Sequence, residues 1–134
     1  MKACEYTTPL ASGRQCMMGI FDNIVAPFVP IDHPPFCICL QIEFEQSDPE
    51  QEHHVACRLI DPDGKSLFDF PLNVRNVIDP HGGDTRIFIS INVPGLRLDT
   101  PGDHRIDILV DGQKLGEEKI PVIVAQGQSS APNL

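Results

Sequence analysis

Ten consecutive residues, Phe36-Cys-Ile-Cys-Leu-Gln-Ile-Glu-Phe-Glu45, alternate with the period of a β-strand. Phe36, Ile38, Leu40, Ile42 and Phe44 point one way, while Gln41, Glu43 and Glu45 point the other. One face belongs in a core, and the far end of the other is wet. No stretch of comparable length carries helical spacing, so the pattern commits the chain to sheets.

The same period recurs. In Arg86-Ile-Phe-Ile-Ser-Ile-Asn-Val93 it sends Ile87, Ile89, Ile91 and Val93 to one side. In His104 to Val110 it sends Ile106, Ile108 and Val110 inward, and Asp111-Gly112 then leads into an extended Gln113 to Val124. Asp-Gly supplies the positive φ that a type I′ turn needs, so a hairpin is predicted there. His53 to Ile60 and Ser66 to Leu72 flank the turn Asp61-Pro-Asp-Gly64. Ala3 to Thr8 and Gln15 to Phe21 flank Ala11-Ser-Gly13. About eight short strands at this spacing predict an all-β fold, a two-sheet antiparallel β-sandwich of the immunoglobulin-like kind. A single domain over residues 1–125 is expected, followed by a polar, disordered tail over 126–134.

Two features break the alternation. Asp22 to Pro35 carries four prolines beside Ile24, Val25, Phe28, Val29 and Ile31. It is too apolar to remain in water and too proline-rich for a central strand, so it is expected to pack across a sheet or one end of the fold. Phe36 to Leu40 is apolar on both faces, so the Cys37/Cys39 side needs a cover, either the proline segment or another subunit. Ile24, Val25, Phe28, Val29, Ile31, Cys37 and Cys39 are therefore the candidate interaction surface.

With 10 basic and 19 acidic residues the formal charge is −9, and no Lys/Arg cluster exists. That disfavours nucleic acid and anionic membranes as partners. The first residues lack the apolar core of a secretory signal, and no run approaches the roughly 20 apolar residues of a membrane span. Five cysteines form an odd set without scaffold spacing, which fits a cytoplasmic protein with free thiols.

Asp99-Thr-Pro-Gly-Asp-His104 has the form of an immunoglobulin-like corner, with His104 where a Tyr usually bonds the backbone. Met18-Gly-Ile-Phe-Asp-Asn-Ile24, the prolines leading to His33-Pro-Pro-Phe36, Asp61-Pro-Asp-Gly64 and Pro101-Gly-Asp-His-Arg-Ile106 together resemble a family of small uncharacterised bacterial proteins. The likeness runs from about Ala3 to Val124. It implies a β-sandwich and, since that family has no assigned activity, no catalytic residues.

Chemical motifs are sparse. His53, Cys57 and Asp61 share a strand face, but the outer two would stand roughly 26 Å apart at ~3.3 Å per residue, too far to chelate one ion. Asp79, His81 and Asp84 share one loop, for which a plain turn is the simpler reading. Cys37-Ile-Cys39 lacks the redox spacing, and there is no nucleophile elbow or phosphate loop. Neighbouring Glu117 and Glu118 face opposite ways in a strand. No cofactor, metal site or catalytic residue is expected. The reading is a non-catalytic module that binds protein, a second copy of itself included. The alternative is a small-ligand or metal-binding protein using end loops, with His33, His81 and His104 as the residues to watch.

Overall fold

The computed structural model describes residues 1–12, 14–45, 48–77 and 81–125. Among them the fold is all-β, with eleven strands in three sheets. The eight long strands are those that alternation and turn spacing predict: β1 (Lys2–Pro9), β2 (Gln15–Phe21), β5 (Phe36–Phe44), β6 (Glu52–Ile60), β7 (Ser66–Arg75), β8 (Thr85–Val93), β10 (Gly102–Val110) and β11 (Gln113–Val124). The expectation of eight strands is corrected by three more, β3 (Ile24–Ala26), β4 (Ile31–His33) and β9 (Leu96–Leu98). Each has three residues, too few to display a period.

One sheet has the order β2-β1-β5-β8, and a second has the order β3-β11-β10-β6-β7. The third is the pair β4-β9, so the expectation of two sheets is also corrected. Ladders are antiparallel except β3 with β11, which is parallel. Pro71 is carried by β7, an edge strand, where a proline is tolerated. The predicted tail over 126–134 lies outside the described residues.

One apolar cluster takes side chains from all three sheets. Ile38, Leu40, Ile89 and Ile91 come from the first, Val55, Cys57, Leu59, Ile106 and Ile120 from the second, and Leu96 and Leu98 from β9. Burying side chains of this size is worth about 1.5–3 kcal/mol each, which makes this cluster the main source of stability. The turn Asp111-Gly112 has φ of 51° and 83° at its two residues, as a type I′ hairpin requires. No helix among the described residues is long and apolar enough to cross a membrane.

Candidate functional site

The proline segment contains two short strands, and their pairing decides which of its apolar residues reach solvent. Ile24, Val25 and Ala26 lie in register with Val122, Ile123 and Val124. Strand alternation then turns Ala26 and half of Ile24 toward the core and leaves Val25 outward beside Ile123. The chain leaves β3 through Pro27 and Phe28, passes a cis Val29–Pro30 bond and pairs β4 with β9. Val29 and Ile31 pack against the core. Val25 and Phe28 remain 61% exposed, and Ile123 is also exposed.

A cleft of about 470 Å³ lies between β3 and β4. Phe21, His33 and Phe36 line it, with ring centroids 5.3 to 6.0 Å apart, and Glu5 contributes a carboxylate at its rim. His33 Nδ1 lies 2.7 Å from the Pro34 carbonyl, which accepts its proton and fixes the ring. From Ile24 to Ile31 the chain carries no charge, although Asp22 and Asp32 bracket it.

Cys37 and Cys39 are not part of this surface. Both are buried, and what covers them is Cys4 of β1 and Met17 of β2, neither the proline segment nor another subunit. Cys4 stands directly opposite Cys37 in the ladder, and its Sγ lies 3.7 Å from that of Cys39. Cys37 donates to Asn92 Oδ1 at 3.3 Å. Burial and the neighbouring Cys39 push the Cys4 thiol up to about 12, and burial does the same for Cys57. All five thiols are free. Of the seven candidate surface residues, Val25 and Phe28 face solvent, Ile24, Val29 and Ile31 are partly buried against the core, and the two cysteines belong to a separate cluster.

The candidate metal ligands are each engaged elsewhere. His53 bonds Asp111 and Asn76, and His54 bonds Asn73. Cys57 is fully buried, and Asp61 accepts the N–H groups of Asp63 and Lys65 within its turn. Asp79 lies outside the described residues. Among the described residues no three His, Cys, Asp or Glu side chains converge as a metal site would require. Of the three loop histidines, His33 and His104 border one small apolar void of about 10 Å³, while His81 does not line it. His104 Nδ1 donates to the Gly102 carbonyl at 3.1 Å.

No signal in the sequence marks a second opening. It is a groove of about 330 Å³ between β5 and β11, floored by Leu40, Ile108 and Val110 and walled by Leu115. The ladder of β10 and β11 shifts register between Ile108 and Leu109, which leaves Leu115 unpaired and 62% exposed. A bulge of this kind re-aims a side chain, and no local sequence signal marks it.

Compared with known proteins, the chain matches the model of one family, described as a family of unknown function, over residues 2–123. No curated protein matches. Among solved structures it is similar to the alkylpurine DNA glycosylase AlkC of Pseudomonas fluorescens, bound to DNA containing an abasic-site analogue. The identity is 17% and the TM-score 0.42, over 77% of this chain and 28% of that one.

Proposed function

Because this chain belongs to DUF6941, a family of unknown function, we propose from its own geometry that it is a non-catalytic interaction module whose partner is a second copy of itself. The observation that carries this reading is the outward pair Val25 and Phe28, each 61% exposed on a run without charge. Two chains of charge −9 repel each other at most of their surface, so an uncharged strip is where they meet at least cost. β3 is also an edge strand with one free side, and a twofold axis beside it would place like against like. Covering the Phe28 rings is worth roughly 1.5–3 kcal/mol each.

The scaffold under this strip reads as an immunoglobulin-like sandwich. In support, β1 pairs antiparallel with β5 while β3 pairs parallel with β11, so the first part of the chain divides its pairing between the two large sheets. β5 and β8 then sit in one sheet and β6, β10 and β11 in the other, as the B, E and C, F, G strands do in that fold. Five free thiols, three of them in one buried cluster, support a reducing, cytoplasmic setting.

Light scattering of the protein and of its Phe28→Asp variant tests the reading. The parent is expected to have the mass of a dimer, and the variant the mass of a monomer with an unchanged melting temperature. A parent that stays monomeric at every concentration, or a variant of unchanged mass, overturns it.

A further inference from the structure

The cleft between β3 and β4 shares the walls Ile24, His33 and Phe36 with the small void beside His104, so the void is the inner end of the cleft. Phe28 is not among the walls of either, and the site is formed within one chain. The cleft's volume of about 470 Å³ lies in the range of small-molecule pockets, roughly 300–1,000 Å³. Three rings make its apolar floor. Phe21 and Phe36 meet edge to face at 5.5 Å, and His33 stands 5.3 Å from Phe36.

Most of the polar side-chain atoms here are acceptors. Glu5 lies at the rim with its side chain folded over Gly19, where a Cβ would stand 2.8 Å from Glu5 Cγ and Cδ. Asp32 lines the cleft from β4. Among the described residues neither carboxylate is paired with a cation. Arg97, opposite Asp32 in register, bonds Asp99 at 2.9 Å instead. His33 commits its Nδ1–H to the Pro34 carbonyl, and His104 commits its own to the Gly102 carbonyl. In the neutral rings each Nε2 is then a lone pair. His104 is only 2% exposed, and its Nε2 has no partner among the described residues, an uncommon state for an interior polar atom. The cleft's side chains include no Lys or Arg, and only Asn23 brings a donor that the backbone does not already hold.

From this we infer that the cleft binds a small organic cation, a primary amine carrying an apolar body. Donors are what both ends of the site lack, and an ammonium group supplies three together with a positive charge. Glu5 and Asp32 take the ammonium at the rim, where charge-assisted hydrogen bonds are the strong ones. The apolar body lies on Phe21, His33 and Phe36, and aromatic faces also favour a cation held close to them. The net charge of −9 draws such a ligand toward the chain and disfavours an anion of the same shape.

The probe is 2-phenylethylamine, titrated into the full chain at neutral pH and followed by amide and imidazole NMR signals. Saturable shifts are expected at Ile24, Asp32 and His33, with a dissociation constant of about 1 mM, the affinity a ligand of this size supports. 3-Phenylpropanoate, of similar shape and opposite charge, should leave these signals in place. Glu5→Gln and Asp32→Asn combined should weaken the amine about tenfold. Both side chains are exposed, so the melting temperature of that variant should match the parent's. Glu45→Gln removes the same charge just past the far end of β5, roughly 30 Å from Phe36 at ~3.3 Å per residue, and should change nothing. Three outcomes overturn the inference: no saturable shift with tens of millimolar amine, equal binding of the propanoate, or a double variant that loses no more than Glu45→Gln.

Discussion

His53 and Asp111 stand 58 residues apart in sequence, yet Nδ1 of the one lies 2.7 Å from Oδ2 of the other. The second ring nitrogen of His53 lies 3.0 Å from Asn76 Oδ1. That amide is held in one orientation, since its nitrogen donates to the Pro49 carbonyl and its oxygen accepts the Gln51 N–H. Both ring nitrogens thus face side-chain oxygens. The ring also stacks on Phe44 at 4.8 Å, which ties the end of β5 to the β10–β11 turn.

The acid limb of the stability profile should register this contact. Hydrogen bonds from His53 and from the His54 N–H hold the Asp111 carboxyl below the usual carboxylate range. A folded-state value below the unfolded one contributes stability above the unfolded value, and that contribution fades as pH falls through the folded value. Asp111→Asn keeps a residue that tolerates positive φ but removes the charge. The parent is expected to melt higher than the variant above about pH 4, with the gap closing below it. Because the carboxyl is half exposed, the gap is modest. A gap independent of pH would show that the charge contributes nothing.

Thiol reactivity should separate the cysteines by burial. Cys4 and Cys57, with thiols pushed up to about 12, carry almost no thiolate at neutral pH and are buried as well. Cys16 is the one cysteine that is partly exposed. A thiol-alkylating reagent is expected to label Cys16 in the native protein and all five in denaturant, as mass spectrometry can count. Native labelling of Cys4 before Cys16 would contradict this order.

Period-two alternation and the turns between segments made the eight long strands legible, because each spans enough residues to show one or the other. The Asp111-Gly112 turn was legible because only a few residue pairs tolerate its backbone. What failed to show depends on partners distant in sequence. Ile24 to Ala26 becomes a strand only because Val122 to Val124 offers a free edge. The cover over Cys37 and Cys39 is Cys4, set by a register between strands more than 30 residues apart. For the candidate surface, apolar composition singles out the segment, but whether Val25 or Ile24 faces outward depends on that same pairing. The groove wall at Leu115 rests on a bulge with no signature of its own.

Two glycines of the β10–β11 hairpin should behave in opposite ways. Gly112 has φ of +83°, where a β-branched residue is strained, so Gly112→Val is expected to cost on the order of 1–3 kcal/mol. At Gly116 an added Cβ would meet the Ile108 Cβ at 3.8 Å, ordinary van der Waals contact. Gly116→Ala should therefore be neutral or slightly stabilising. Denaturant midpoints of the two variants check the contrast, and equal losses would refute the strain at the turn.

Asn76 should be the most sensitive polar position in the chain. It is buried to 3% exposure just beyond β7, and its side chain joins Pro49, Gln51 and His53. These partners come from the chain entering β6 and from β6 itself, so one amide fastens that approach to the end of β7. Asn76→Ala leaves a carbonyl, an N–H and a ring nitrogen without their partner, and each buried group so orphaned costs about 1–3 kcal/mol. Water entering the space left by the amide recovers part of that, so a loss of about 2–4 kcal/mol is expected. Asn73→Ala supplies the control, since Asn73 is exposed and its side chain bonds the exposed His54 ring; its loss should stay within about 0.5 kcal/mol. Urea unfolding with a common slope measures both. If Asn76→Ala loses no more than Asn73→Ala, the Asn76 side chain is not the clamp its hydrogen bonds describe.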